Sequence, residues 1–219
     1  MRLGGPREDY VRLGAALPQG WVELPTDPAV GPQAWATANV AEAAAGLEPT
    51  EHSIGEEAAA AQLASFVQRA QEAAVPGLSA HVALAFQPDP LGQVLVFASA
   101  TVFPFEDGPL TVPGLLETLG AGPETVGQRH VQELDLALGR AVRLRRMFGA
   151  GAAAGVPVGG PGVDDVMEGI TYVALPRGLD GFVWFDALWV DLVLGDDLAA
   201  VVDELAAALR LDARQGRGR

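Results

Sequence analysis

The sequence contains no cysteine and no lysine, and both absences limit the chemistry that the chain can carry out. Without cysteine there is no disulfide framework, no thiol nucleophile and no zinc site with thiolate ligands. Without lysine there is no Schiff base on a side-chain amine and no lysine that acts as a general base. All 14 basic residues are therefore arginine, and with the abundant alanine and glycine this indicates a GC-rich, bacterial genome.

Long apolar runs are also lacking. No stretch reaches about 18 uninterrupted apolar residues, the length that a membrane-spanning helix requires. The first residues, MRLGGPREDYVRLG, do not contain the apolar segment of a signal peptide. These two observations predict a cytoplasmic protein without a membrane partner.

The 219 residues are 49% hydrophobic and 19% charged, a composition that can bury a sizeable core. Length and composition predict a single α+β domain at 1–211, followed by a flexible C-terminal tail at 212–219. The 28 acidic residues outnumber the 14 basic ones and give a net charge of −14. Because such a charge repels nucleic acid, we expect no nucleic-acid partner.

The hydropathy pattern switches several times between the period of a strand and that of a helix. Strand pairs are predicted at 10–15 with 21–24, 80–86 with 93–103, 126–135 with 140–148, and 170–175 with 182–194. Four helices are predicted. The first is at 34–45, the second begins at a capping box formed by Ser53 and Glu56, and the others are at 113–119 and 198–209. Sequential hairpins with helices before, between and after them predict an antiparallel β-sheet flanked by α-helices on both faces.

Two parts of this pattern resemble the PsbP-like superfamily: the segment LPQGW at 17–21 between the first strands, and the closing strand pair with its helix. Members of that superfamily have an antiparallel sheet between helices, and most of them bind protein partners rather than catalyse reactions. They act as photosystem subunits, transport factors or cytosolic chaperones for secreted effectors. The resemblance therefore implies an adaptor or chaperone role, and it transfers no catalytic residues.

Residues that could form a catalytic or metal centre are few. The three histidines, His52, His81 and His130, do not combine with carboxylates at a ligand spacing, so no metal site is predicted. The four serines occur in no nucleophile motif. The sequence thus indicates neither a cofactor nor an enzyme, and the function that we predict from it is a protein-binding adaptor or chaperone-like protein.

Two charged segments are predicted to form the docking surface for another protein, or for a second copy of this chain. The strand at 140–146 carries four arginines, and the segment 180–204 carries seven acidic residues and no basic one. Aromatic side chains commonly anchor protein interfaces, which adds a tryptophan to this surface. The residues assigned to partner binding are Arg140, Arg143, Arg145, Arg146, Asp186, Asp191 and Trp189.

A simpler interpretation remains open for each segment. Glu133 and Asp135 lie on the strand predicted to pair with the arginine strand, so cross-strand ion pairs would neutralise Arg143 and Arg145. The acidic segment would likewise be an ordinary solvated face.

Two other function classes also remain open. One is a small-molecule-binding or enzymatic domain with a pocket between sheet and helices. That pocket would contain His81, Ser99 and Thr101, provided that the strands at 80–86 and 93–103 pair in a register that brings them together. The other is a structural subunit of an oligomer.

Overall fold

The computed structural model describes residues 11–74, 81–105, 111, 113–115, 125–149 and 166–213. Three long helices lie in these residues: α1 (Pro32–Ala44), α2 (Glu56–Ala73) and α3 (Gly195–Ala208). Residues 113–115, in the helix predicted at 113–119, are helical as well, and 116–119 lie outside the described residues. The strands are β1 (Val11–Ala15), β2 (Trp21–Leu24), β3 (His81–Phe86), β4 (Val96–Pro104), β5 (Thr125–Leu136), β6 (Gly139–Gly149), β7 (Val166–Leu175), β8 (Gly181–Trp189) and β9 (Leu209–Ala213).

Seven of these strands form one antiparallel sheet in the order β2-β3-β4-β8-β7-β6-β5. Strands β8 and β7 are central. Strand β7 is buried along nearly its whole length, whereas β8 alternates between buried and half-buried residues, so one of its faces is fully covered. The remaining two strands, β1 and β9, form a separate antiparallel pair.

Helices cover both faces of the large sheet. In β3, Ala83 and Ala85 pack in one cluster with α1 and α2, whereas Leu84 and Phe86 belong to the cluster that contains α3. Since neighbouring residues of a strand point to opposite faces, α1 and α2 lie on one face and α3 lies on the other. The predicted fold class, an antiparallel sheet flanked by helices on both faces, is therefore confirmed.

The core beneath α3 is the larger of the two. Leu198, Val202 and Leu205 lie along one side of the helix and are at most 3% exposed, against a sheet face that contains Tyr172 and Phe185. Each such side chain contributes about 1.5–3 kcal/mol when it is fully buried. This packing fixes α3 on the sheet and places its acidic residues near the arginines of β6.

Three of the four predicted strand pairs are present, as β3 with β4, β5 with β6, and β7 with β8. Strands β4 and β8 show the alternation of a strand with one covered face, whereas β7 is buried along most of its length and the edge strand β5 is mostly exposed. The fourth prediction is wrong: β1 and β2 do not form a hairpin, since β1 pairs with β9 and β2 pairs with β3.

The turn within the LPQGW segment nevertheless forms where the sequence predicts it. The Trp21 N–H donates to the Pro18 carbonyl at 3.3 Å, and Gly20 has a φ of +84°. A side chain at Gly20 would place its Cβ only 2.8 Å from the Phe86 ring. Both the backbone angle and the space thus require glycine at this position.

Two further predictions need correction. Helix α2 begins without a capping box, because its N-cap is Gly55 and the Ser53 hydroxyl instead donates to Asp89 Oδ2 at 2.9 Å. The predicted tail at 212–219 is shorter at its start, since Asp212 and Ala213 belong to β9. Residues 214–219 lie outside the described residues.

Candidate functional site

Polar side chains interrupt the apolar sheet face on which α1 and α2 pack. The strand registers align them across four strands: Thr101 lies opposite both His81 and Trp184, Asp186 lies opposite both Ser99 and Thr171, and Arg146 lies opposite Gly169. We call this group the polar cluster; it consists of His81, Ser99, Thr101, Arg146, Thr171, Trp184 and Asp186. All of them except Thr171 are half-buried, so the cluster is partly open to solvent.

At one end of the cluster, His81 Nδ1 and Thr101 Oγ1 share a hydrogen bond of 2.7 Å. The register that the sequence-based pocket prediction requires is therefore present, with Ser99 two residues along β4 on the same face. His81 Nε2 is buried and has no hydrogen-bond partner among the residues that the structure describes. Whether a ligand binds to these three residues stays a prediction.

Burial lowers the pKa of His81 below its ordinary value of 6.5. The unfolded chain consequently binds more protons than the folded chain as the pH falls through about 6.5, and the free energy of unfolding decreases in that range. We expect the stability of the wild type to decrease between about pH 7 and pH 5 more steeply than that of His81→Gln. Urea unfolding at a series of pH values measures both slopes, and parallel curves would contradict the prediction.

In the middle of the cluster, Asp186 accepts two side-chain hydrogen bonds. The Thr171 hydroxyl donates to Oδ1 at 2.6 Å, and the Trp184 indole N–H donates to Oδ2. Burial raises the pKa of Asp186, whereas the two hydrogen bonds and the charge of Arg146 act in the opposite direction. This carboxylate is therefore already bound within the chain, and the assignment of Asp186 to partner binding stays a prediction.

Arg146 lies on the same face as Asp186, unlike Arg143 and Arg145, with which it was grouped as one docking surface. Its guanidinium carbon is 5.7 Å from the centre of the Phe148 ring. Burial lowers the pKa of Arg146, and its Nη1 has no hydrogen-bond partner in the described part of the chain. The sequence could have separated Arg146 from Arg143 and Arg145, because side chains at even and odd positions of a strand point to opposite faces of the sheet.

Arg143 and Arg145 lie on the other face of β6 and are neutralised within the chain. Arg143 donates to both oxygens of Asp203 at 2.9 and 3.2 Å. Arg145 donates to Glu168 at 2.6 Å and to Asp196 at 2.7 Å. The expectation of ion pairs is correct, but the partners come from α3 and β7 rather than from β5. Of the four arginines, Arg140 has the solvent-exposed ion pair, with Glu133 at 3.4 Å.

These contacts occupy most side chains of the predicted docking surface within the chain itself, and the surface stays a prediction. Guanidinium groups that are already bound by carboxylates cannot attract an anionic partner without losing those bonds. Trp189 is only 2% exposed and donates to the buried Glu168 at 3.1 Å, so its side chain is not available to a partner. Asp191 has a structural contact as well: its Oδ1 accepts the backbone N–H groups of Val193 and Leu194.

The segment around Asp191 does expose apolar side chains. Val190, Leu192, Val193 and Leu194, between β8 and α3, are 54%, 44%, 94% and 36% exposed. We call residues 190–194 the apolar loop. Single exposed apolar residues are common on protein surfaces, but four of them within five consecutive residues form a patch of the kind found at interaction sites.

Within the described residues, no group of three or more histidine, aspartate and glutamate side chains is arranged to hold a metal ion. None of the three helices combines the length and the apolar character that crossing a membrane would require.

Comparisons with known proteins give no family for this chain. No family model and no curated protein matches the sequence. A solved structure that is similar is that of LpqN, involved in cell envelope biogenesis of Mycobacterium tuberculosis, with 10% sequence identity and a TM-score of 0.44. The match covers 94% of this chain and 86% of that one. The predicted cytoplasmic location is withdrawn, since this similar structure is that of a protein involved in cell envelope biogenesis.

Proposed function

We propose that this protein acts by binding another protein through the apolar loop at 190–194. The observation that carries the proposal is the exposure of this loop, in which the Val193 side chain is 94% exposed. Leaving such side chains in water gains nothing for the fold, whereas burying them in a partner would contribute about 1.5–3 kcal/mol for each. An adaptor or chaperone role, as the PsbP-like resemblance implies, is compatible with this surface.

The loop is held in one conformation by its own hydrogen bonds. Asp191 Oδ1 accepts from the Val193 N–H at 3.0 Å and from the Leu194 N–H at 3.2 Å. On its C-terminal side the loop continues into α3, where Leu198 donates to the Leu194 carbonyl and is itself buried. A loop that is ordered before binding loses less conformational entropy in the complex, which favours affinity.

Charge around the loop determines which partner would fit. Asp191 adjoins the apolar side chains, and Asp196 and Asp197 follow in the first turn of α3. The whole chain carries −14. We therefore propose a partner protein that has an apolar pocket bordered by basic side chains. The same charge disfavours an anionic membrane and a second copy of this chain as the occupant.

The test compares substitutions at two exposed valines: Val193 in the apolar loop, and Val131 in the edge strand β5. Tagged wild type, Val193→Asp and Val131→Asp are purified from the organism's own cells, and the proteins that accompany them at moderate salt are identified by mass spectrometry. Val131, in β5, is 52% exposed and serves as the control. The candidate partner is then purified, and its dissociation constant is measured with each of the three proteins.

We expect Val193→Asp to weaken binding by at least about tenfold, because a buried valine is lost and a charge enters an apolar pocket. Val131→Asp should bind as the wild type does. The proposal fails if the protein is purified alone, or if Val193→Asp binds the partner normally. It also fails if sedimentation shows that the chain associates with itself through the loop and with nothing else.

A further inference from the structure

The two ends of the apolar loop are held by one carboxylate, that of Glu168 on β7. At the first end, the indole N–H of Trp189, the last residue of β8, donates to Glu168 Oε2 at 3.1 Å. At the other end, Asp196 accepts from Arg145 Nη1 at 2.7 Å, and Arg145 Nε donates to Glu168 Oε1 at 2.6 Å. Each oxygen of Glu168 is therefore connected to one end of the loop.

The residue directly after the loop, Gly195, approaches the same carboxylate closely. A Cβ on Gly195 would lie 2.5 Å from Glu168 Oε2 and 3.4 Å from Arg145 Nη2. Gly195 is not among the glycines with a positive φ, and it is the first residue of α3, where alanine is the better helix former. Neither the backbone angle nor helix propensity thus accounts for glycine at this position, whereas the contact with Glu168 does.

These contacts lie behind the loop rather than on its outer surface. The Glu168 side chain is 11% exposed and Trp189 is 2% exposed, so a partner that covers Val193 does not touch them. The hydrogen bonds of Asp191 fix the conformation within the loop, whereas Glu168 fixes where the loop lies on the sheet. A movement of either end would break a hydrogen bond to a charged group in nearly buried surroundings, which is costly.

We propose that Glu168 is a positioning residue for partner binding: it holds the apolar loop in the place that the partner recognises, without touching the partner. This inference rests on the proposed function of the loop. A loop that is fixed before binding loses less conformational entropy in the complex. Releasing one end therefore lowers the affinity although every side chain of the interface is unchanged.

Two matched amide variants test the position of the loop without a partner. Glu168→Gln and Asp203→Asn each replace a carboxylate that pairs with an arginine of β6, and Asp203 lies within α3, beyond the loop. Hydrogen exchange is followed at the Val193 amide, which donates to Asp191, and at the Leu198 amide, which donates to the Leu194 carbonyl. We expect both amides to exchange at least about tenfold faster in Glu168→Gln, and to change by less than about twofold in Asp203→Asn.

A second variant, Gly195→Ala, separates the contact with Glu168 from helix propensity. Propensity alone predicts slower exchange at the start of α3, whereas the close contact predicts exchange at least about tenfold faster. Glu168→Asp keeps the charge and withdraws the carboxylate by one methylene. In that background, Gly195→Ala should alter the exchange by less than about twofold, because the added methyl group then has room.

The dissociation constant of the partner, identified as described above, completes the test. We expect Glu168→Gln to bind at least about tenfold more weakly than the wild type and Asp203→Asn to bind normally. The inference is overturned if Glu168→Gln and Gly195→Ala leave the exchange unchanged, or if exchange accelerates and the partner still binds as tightly. If Glu168→Gln does not fold, Gly195→Ala decides. If the protein has no partner, the proposed function fails, while hydrogen exchange still decides whether Glu168 positions the loop.

Discussion

Replacing Arg145 with alanine is expected to lower the free energy of unfolding by about 3–5 kcal/mol, whereas Arg140→Ala should lower it by less than about 1 kcal/mol. Both residues lie on β6 and both form an ion pair, so the variants differ mainly in burial. The Arg145 and Glu168 side chains are 20% and 11% exposed, against 66% and 55% for Arg140 and Glu133. Without Arg145, a buried carboxylate loses its counter-charge.

The space around Glu168 makes this loss difficult to relieve. Its Oε1 is 2.6 Å from Arg145 Nε and its Oε2 accepts the Trp189 indole N–H. A methyl group on Gly195, the first residue of α3, would lie only 2.5 Å from the same Oε2. The carboxylate is therefore enclosed by β6, β8 and the start of α3, where few water molecules could replace the guanidinium.

Urea unfolding of the two variants and the wild type, at one pH and salt concentration, measures the difference. The double variant Arg145→Met, Glu168→Gln serves as the control for charge and should be more stable than Arg145→Ala, because no buried charge then remains. Equal losses of stability for Arg145→Ala and Arg140→Ala would show that the buried Arg145–Glu168 ion pair stabilises the protein no more than the exposed Arg140–Glu133 pair. A charge reversal at Arg145 is consequently a poor test of partner binding, since it is expected to unfold the protein.

Phe185→Ala is expected to destabilise the protein by about 3–5 kcal/mol, and Phe182→Ala by clearly less, about 1–2 kcal/mol. Phe185 is 1% exposed, lies on the central strand β8 beneath α3, and stacks on Tyr172 at 5.7 Å. Its removal leaves a cavity that neighbouring side chains fill only in part. Phe182, on the opposite face of the same strand, is half-buried, so that site can collapse or admit water.

The measurement is again urea unfolding, with the dependence on denaturant concentration compared among the proteins to show that the transition remains two-state. Phe185→Leu refills most of the cavity and should regain more than half of the loss. A smaller loss for Phe185→Ala than for Phe182→Ala would contradict the burial of the two faces of β8.

Local patterns in the sequence predict three of the hairpins, since the two strands of each pair are close along the chain. The same patterns cannot identify a partner from far away in the sequence. Strand β1 pairs with β9, almost 200 residues later, although the turn at Gly20 suggests a pairing with β2. Ser53 and Glu56 match a capping motif, but Ser53 bonds to Asp89 across the molecule instead.

The contacts of the candidate sites also differ in this respect: some join strands that are adjacent in the sequence, and others join distant parts of the chain. The pairing of His81 with Thr101 joins two strands that are adjacent in the sequence, and the sequence analysis named this register as the condition for a pocket. The arginine partners were not predicted, because Asp203 and Asp196 come from a helix that packs over β6 only in the folded protein. Trp189 was assigned to the surface on the basis of residue type, although its covered face depends on where α3 lies.

The pairing of β1 with β9 has a mechanical consequence. Val11 lies opposite Ala213 and Ala15 opposite Leu209, so the outer ends of both strands are at the same end of the ladder. A force that pulls residues 11 and 213 apart loads the cross-strand hydrogen bonds one after another, beginning with the outermost pair. The ladder therefore peels open at low tension, while the seven-stranded sheet bears no load until this small pair has separated.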